Sequence, residues 1–258
     1  MRPLAELPCE GIRGLLFDID ETLTTDGKLT ADAYAAIERL KRAGRIVVPV
    51  TGRAAGWCDH IARMWPVDAV IGENGAFYFW FGAGKLQRRF YDAPAARAEK
   101  QRRLDGIAQT ILKAVPGCAL ASDQRYRETD LAIDYCEDVT PLPLEAAERI
   151  AATMRAEGLT ARISSIHVNG WFGGYDKLAM ARLLLKERFA LDLEQSNADF
   201  AFAGDSPNDA PMFGFFKNSV GVANVRRFEA VLEYAPKYVT RTAAGAGFAE
   251  LAAHLLAG

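Results

Sequence analysis

Short, continuous apolar runs alternate with helical patterns along the first third of the chain. Residues 14–18 (GLLFD), 46–50 (IVVPV) and 68–72 (DAVIG) have the length of strands. Unbroken apolar character is typical of parallel strands that are covered on both faces. The segments between these runs predict helices, the first of them capped by Thr30 and ended by Gly44. Pro49 cannot donate a ladder hydrogen bond, so we expect it near the end of its strand.

The middle of the chain has a different pattern. It predicts a hairpin from residue 77, two helices at 95–114 and 144–157, and strand segments at 131–135 and 161–169. After residue 174 the strand–helix pattern resumes and continues to a closing helix. The sequence therefore predicts an α/β protein with a Rossmann-like, doubly wound parallel sheet formed by residues 1–84 and 171–258. Residues 85–170 are predicted to form a smaller, inserted α+β cap.

The charge composition indicates which kinds of binding partner to expect. The 258 residues include 31 Lys and Arg against 33 Asp and Glu, a formal net charge of -2. This balance gives no electrostatic reason to expect nucleic acid or a membrane as partner. The first twenty residues have no apolar stretch of signal-peptide length, and the four cysteines show no metal-binding spacing. We expect a cytoplasmic protein that acts on a small molecule, while its oligomeric state stays open.

Acidic residues follow two of the predicted strands. Asp18 and Asp20 come at the end of the first apolar run, and alternation along a strand directs residues two apart to the same side. Asp205, Asn208 and Asp209 follow the strand at 199–205. Clustered carboxylates repel one another unless a cation lies between them, and Mg²⁺ prefers such oxygen ligands beside a phosphate. The pattern predicts a magnesium site.

Two further residues suit the binding of a phosphoryl group. Thr51 offers a hydroxyl at a strand end, and Lys177 offers a cation in the first turn of a helix. Phosphoryl transfer needs a nucleophile, positive charge over the phosphoryl oxygens and a proton donor for the leaving group. All of these groups are present. The phosphate-binding loop GxxxxGK[ST] does not occur, which disfavours nucleotide-binding enzymes of that class.

The order of these motifs resembles a known family. DxDxT at 18–22, TGR at 51–53, Lys177 and GDxxND at 204–209 are similar to the motifs of the haloacid dehalogenase superfamily of phosphotransferases. The position of the cap and the segment Glu73-Asn74-Gly75-Ala76 resemble the type IIB group. That group includes sucrose-phosphate, mannosyl-3-phosphoglycerate and Cof-type phosphatases.

The resemblance implies a role for each motif residue. Asp18 would attack phosphorus, Asp20 would protonate the leaving oxygen and later activate water, and Thr51 and Lys177 would hold the phosphoryl group. Mg²⁺ would bind the Asp18 carboxylate, the Asp20 main-chain carbonyl and Asp205, with support from Asn208 and Asp209. Glu21 stands where many relatives have glycine, so the resemblance leaves the backbone after the acid pair open to differ.

Several other residues are candidates for binding the leaving group. They lie at the motif loops or at the predicted junction of cap and core: Arg53, Asn74, Arg125, Arg127, His167 and Asn169. His167 alternates with apolar neighbours, so one face of its strand is apolar and the other polar. For Arg125 and Arg127 we expect solvated surface, because charges in turns usually serve solubility.

These observations predict a Mg²⁺-dependent phosphatase that hydrolyses a small phosphorylated metabolite through an aspartyl-phosphate. A sugar phosphate or a phosphoglycerate-type ester is the expected substrate class. Two alternatives stay open. One is a phosphomutase built on the same groups. The other is a non-catalytic phosphate-binding or signalling module, because receiver domains also combine acids, Thr and Lys around an aspartate.

Overall fold

A six-stranded parallel sheet forms the centre of the larger part of the molecule. The computed structural model describes residues 1–164 and 166–257. The strands of this sheet are β1 (Arg2–Pro3), β2 (Gly14–Phe17), β3 (Ile46–Pro49), β11 (Phe200–Gly204), β12 (Asn218–Gly221) and β13 (Tyr238–Val239), numbered in chain order over all three sheets. Their order in the sheet is β1-β13-β12-β11-β2-β3, and every neighbouring pair is parallel.

Helices cover both faces of this sheet, which confirms the predicted doubly wound α/β core. The helices of this part are α1 (Ala31–Arg42), α2 (Ala55–Met64), α5 (Lys177–Phe189), α6 (Ala210–Phe215) and α7 (Ala244–Leu256). α1 and α7 share one hydrophobic core with strand residues such as Leu15, whereas α5 and α6 share another with Leu16. Adjacent strand residues point to opposite faces, so a continuous apolar strand supplies both cores.

Local signals set the limits of these elements. The Thr30 hydroxyl accepts a hydrogen bond from the Ala33 amide, which caps α1. Gly44 has a φ of 76°, a left-handed conformation that glycine adopts without steric cost, and it lies just beyond the helix. Pro49 is the last residue of β3, as its missing N–H requires.

A second, antiparallel sheet extends this core. It contains β4 (Val70–Gly72), β5 (Phe77–Gly82) and β6 (Lys85–Phe90), and a parallel bridge between Val50 and Ile71 joins it to the main sheet. Ala83 and Gly84 form the turn between β5 and β6, both with positive φ. The boundary predicted between residues 84 and 85 therefore falls inside one hairpin, and the domain limits stay a prediction.

The third sheet is antiparallel and carries its own hydrophobic core. Its strands are β7 (Ala119–Leu120), β8 (Asp130–Asp134), β9 (Thr160–Ile163) and β10 (His167–Trp171), in the order β7-β8-β10-β9. α3 (Pro94–Ala114) and α4 (Leu144–Ala156) pack on the apolar face, which includes Ile133 and Val168. The segment 161–169 thus belongs to two strands of a hairpin, with Ser165 outside the described residues. Among the described helices, none has the length and apolar character to cross a membrane.

Candidate active site

Two acidic side chains meet at the point where the order of the parallel strands reverses. The chain proceeds from β2 outward to β3 and later returns to the other side of β2 as β11. Asp18 follows β2 and Asp205 follows β11, and both are buried. The Asp18 amide donates to the Ala203 carbonyl at 2.9 Å, which keeps the two strand ends together. Ligands of open α/β sheets bind in the crevice at such a reversal.

Lys177 lies between two carboxylates of this site. As the first residue of α5, it places Nζ 2.7 Å from Oδ1 of Asp18 and 2.6 Å from Oδ1 of Asp209. Asp176 caps the helix by accepting a hydrogen bond from the Ala179 amide, which fixes where the helix begins. Although burial lowers it, the two carboxylates raise the pKa of Lys177 above its ordinary value, so the ammonium stays charged.

Asp209 supports the other residues of the site. Its Oδ2 accepts hydrogen bonds from the amides of Asp205 and Ser206, while its Oδ1 faces Lys177. A Cβ atom at Gly204 would lie 2.4 Å from Oδ2 of Asp209, so only glycine fits there. Beside it, the Ser206 hydroxyl donates to the Asn208 side-chain oxygen at 2.6 Å. Both oxygens of Asp209 are therefore engaged within the protein.

The acidic cluster fits a divalent cation. Asp18, Asp205 and Asp209 each offer an oxygen within 4.8 Å of the others, and Lys177 compensates only one of the three charges. Burial raises the pKa of Asp18 to about 8 and that of Asp205 well above its ordinary value, so the cluster is electrostatically unfavourable without a cation. Three carboxylates this close together, with a single ammonium beside them, are a donor set that fits a divalent cation.

The backbone of the DxDxT turn has a conformation that usually favours glycine. Glu21 has a φ of 56°, in the left-handed region. Its carbonyl accepts a hydrogen bond from the Asn224 side chain, whose amide also donates to Asp205 at 3.0 Å. The Thr22 hydroxyl donates to the other oxygen of Asp205 at 3.3 Å. The turn after β2 thus helps to orient Asp205, which follows the neighbouring strand β11.

Thr51 is buried at the carboxyl end of β3. Its hydroxyl oxygen accepts a hydrogen bond from the Arg53 amide at 3.0 Å, and within the described residues its own proton is not seen to be donated to a side chain or carbonyl. The Asn74 amide donates to the Thr51 carbonyl, and Asn74 itself has a φ of 55°. The Asn74 side chain packs against Gly52 and does not line the cavity described below. Asn74 therefore stabilises the loop at Thr51 and Gly52 from the side that faces away from the cavity.

A chain of polar and charged groups runs from Asp20 to the sheet formed by β7, β8, β10 and β9, which we call the cap sheet. Arg53 donates from Nε and Nη2 to the Asp20 carboxylate at 2.8–3.1 Å. The same Nη2 donates to Oε1 of Glu137 at 2.8 Å, and Oε2 of Glu137 lies 2.8 Å from Nε2 of His167. The contact with His167 has the largest effect and lowers the pKa of Glu137. Burial opposes this effect and Arg53 adds to it, so the pKa of Glu137 falls to about 2. The described cap and core thus share a network of paired charges.

Arg127 is fully buried, so the expectation of a solvated surface side chain is wrong. Nε and Nη2 donate to Asp123, and Nη1 donates to Asp130 and to the Gly52 carbonyl at 2.9 Å. Buried arginines are stable only when their donors are paired in this way. Arg127 therefore links the cap to the Thr51 loop, and its hydrogen bonds are satisfied within the protein.

Arg125 is exposed, as expected for a solvated side chain. It lines a separate surface cleft with Asp59 and Arg88. The structure thus places Arg125 away from the acidic cluster.

Two acids of the site were not identified as such from the sequence. The first is Glu137, which stands three residues after the end of β8; an acid shortly after an apolar strand was the signal for it. The second is Glu73, which is fully buried and accepts hydrogen bonds from the amides of Ala55, Glu128 and Thr129. Burial raises the pKa of Glu73 to about 7. Glu73 thereby connects the start of α2 to the chain segment that enters β8.

A small cavity separates the acidic cluster from the cap sheet. It holds about 310 Å³ of space, including its mouth. Asp18 and Asp20 lie at the core side, and His167 and Asn169 project from the polar face of β10. The remaining lining residues are Gly52, Arg53, Arg127, Ser164, Ile166, Ser206 and Asn208. The part of this space that can hold a water molecule is only about 20 Å³, enough for about one water, so the cavity is nearly closed and suits a small ligand.

Comparisons with known proteins agree with this geometry. Residues 15–85 match the model of a family described as haloacid dehalogenase-like hydrolase. The chain is 30% identical over 244 residues to a phosphoglycolate phosphatase of Haloarcula marismortui, covering 93% of this chain and 95% of that protein. Among solved structures, Thermoplasma acidophilum 0175 superimposes with a TM-score of 0.71 at 18% identity, covering 95% of this chain and 98% of that one.

A sugar phosphatase of haloacid dehalogenase subclass IIB also superimposes, with a TM-score of 0.59 at 15% identity over 88% of this chain and 93% of that one. The chain belongs to the haloacid dehalogenase-like hydrolases. Within that family it is a phosphatase with the type IIB arrangement of core and cap. The predicted family and the predicted class of enzyme are confirmed.

Proposed function

We propose that the protein is a Mg²⁺-dependent phosphatase for small phosphate monoesters whose leaving group carries a carboxylate, such as 2-phosphoglycolate. The observation that carries this proposal is the narrow cavity between Asp18 and the cap. Arg53 of the core and His167 of the cap line this cavity and suit a carboxylate, and the small size of the cavity favours a leaving group of few atoms. The relative from Haloarcula marismortui is named for phosphoglycolate, which agrees with this size and charge.

The first half of the reaction uses the two acids of the DxDxT turn. A carboxylate oxygen of Asp18 attacks phosphorus, and the bond between phosphorus and the ester oxygen breaks. Asp20 transfers its proton to that oxygen, so the leaving group departs as a neutral hydroxyl. Lys177, which contacts Asp18, and the hydroxyl of Thr51 would stabilise charge on the phosphoryl oxygens.

The second half reverses the role of Asp20. Its carboxylate now takes a proton from water while the water oxygen attacks phosphorus, and the bond to Asp18 breaks to release inorganic phosphate. Mg²⁺ held by Asp18, Asp205 and the Asp20 carbonyl would supply positive charge that offsets repulsion between the carboxylates and the phosphate dianion. Asp209 and Asn208 would keep these ligands in position.

A phosphate-release screen of the purified protein tests the proposal. The panel contains 2-phosphoglycolate, phosphoglycerates, hexose phosphates, nucleotides and pyridoxal phosphate, each with and without Mg²⁺. We expect the highest kcat/KM with 2-phosphoglycolate. A preference for a hexose phosphate would refute the proposed carboxylate selectivity, and transfer to another hydroxyl without release of inorganic phosphate would indicate a phosphomutase.

The proposed cavity walls have a matched pair of variants. His167→Ala is expected to lower kcat/KM for 2-phosphoglycolate about tenfold more than for acetyl phosphate. Only 2-phosphoglycolate carries a free carboxylate that His167 could bind, so only this substrate loses a contact. Arg125→Ala changes an exposed arginine outside the cavity and should affect both esters equally little. Equal losses for both esters in His167→Ala would place recognition of the leaving group elsewhere.

A further inference from the structure

An acidic side chain outside the motifs joins the cap to the core beside the cavity. Glu137 contacts Arg53 of the core and His167 of the cap, each at 2.8 Å. Arg53 in turn holds Asp20. The side chain of Glu137 is 26% exposed and does not line the cavity, so it acts on the cavity through these two neighbours.

The loop that carries Glu137 has a fixed conformation. The buried carboxylate of Asp134 accepts hydrogen bonds from three consecutive amides, those of Cys136, Glu137 and Asp138, at 2.8–2.9 Å. Asp134 also pairs with His167 across β8 and β10. The strand register and the Asp134 carboxylate therefore bring Glu137 and His167 to the same end of the cap sheet. This arrangement is more than a chance surface ion pair.

The position of Arg53 matters for the chemistry of Asp20. Arg53 donates hydrogen bonds to both oxygens of Asp20, so the position of the guanidinium sets the orientation of this carboxylate. Nη2 of Arg53 carries two protons and donates to Asp20 and to Glu137, each at 2.8 Å. Glu137 therefore fixes, from the cap, the guanidinium that holds Asp20.

We propose that Glu137 is a positioning residue for Asp20. By fixing the guanidinium of Arg53, it keeps the Asp20 carboxylate in a defined orientation at the edge of the cavity. The inference rests on the proposed function, because it requires Asp20 to act as the acid. Without the charge of Glu137, Arg53 is held less firmly, the orientation of Asp20 is less well defined, and protonation of the leaving group becomes slower.

Two small esters that differ in leaving group test this role. Ethyl phosphate releases a strongly basic alkoxide that needs a proton, whereas acetyl phosphate releases acetate, which does not. Glu137→Gln keeps the size of the side chain and removes its charge. We expect kcat/KM for ethyl phosphate to fall about tenfold and that for acetyl phosphate to change less than about twofold, since general acid catalysis assists only the poor leaving group.

Two reference variants make the outcome decisive. Asp138→Asn removes an acid from the next position, which is exposed, and should leave both rates unchanged. Asp20→Asn should show the same selective loss on ethyl phosphate in a larger form. Equal losses on both esters in Glu137→Gln, or no loss on either, would refute the positioning role while leaving the proposed function intact. An Asp20→Asn protein without selective loss would refute the acid assignment, and the inference with it.

Discussion

The two sides of the cavity are built in different ways. On the core side, Asp18, Lys177 and Asp205 lie at the ends of strands or at the start of a helix, so the backbone of regular elements fixes their positions. On the opposite side, Arg53 of the core and His167 of the cap both contact Glu137, and these contacts are between side chains from distant segments. The proposed phosphoryl site therefore depends on the fold of one sheet, whereas the proposed leaving-group site depends on how the cap meets the core.

The core side should be the more sensitive to a single change of charge. In Asp18→Asn the nucleophile is lost, and we expect kcat to fall by about 1000-fold or more while the protein stays folded. Asp26→Asn, an exposed acid eight residues later, is the matched control and should retain wild-type activity. Steady-state kinetics with circular dichroism on both proteins check this. A folded Asp18→Asn enzyme with wild-type turnover would contradict the assignment.

Removal of metal should affect the core side alone. Chelation with EDTA followed by dialysis is expected to reduce the rate by about 100-fold or more, and added Mg²⁺ should restore it, because the buried carboxylates otherwise repel the phosphate. The rate is measured on the same sample before and after each addition. Full activity after exhaustive chelation would rule out the proposed metal dependence.

The contact between cap and core is expected to depend on Arg127 for stability. Arg127→Ala leaves the buried carboxylates of Asp123 and Asp130 without their partner, so the free energy of unfolding should fall by about 3–5 kcal/mol. Arg125→Ala, two residues away and exposed, should change it by less than about 0.5 kcal/mol. Chemical denaturation of both variants provides the measurement. Similar values for the two would show that burial of Arg127 contributes little.

Glu137 should add a smaller, pH-dependent contribution. Because its pKa is lowered to about 2 from an ordinary value of 4.5, the stabilisation is complete above pH 4.5 and is lost as the pH falls toward 2. Relative to the wild type, Glu137→Gln should be about 1 kcal/mol less stable at pH 7, and the difference should shrink in acid. Asp138→Asn is the control. A difference that is constant from pH 7 to pH 3 would contradict this linkage.

Most of the core could be predicted from the sequence because its determinants are local. Apolar strands covered on both faces read as continuous hydrophobic runs, and Thr30, Gly44 and Pro49 mark the limits of elements through their own backbone chemistry. The segment at 161–169 was less informative, because a hairpin of two short strands has no distinct pattern in so few residues.

What the sequence by itself determined is the family and the class of enzyme. The motif residues stand at the ends of predictable elements, so their order along the chain was enough to identify the family: Asp18, Asp20, Thr51, Lys177 and Asp205. Only the tertiary structure decided which of the other candidate side chains lie beside the cavity. Arg125 and Arg127 are two residues apart and alike in chemistry, yet one is exposed and the other buried between two aspartates. Side-chain pairing across distant segments, as at Glu137, depends on the packing of whole sheets, which periodicity and spacing do not encode.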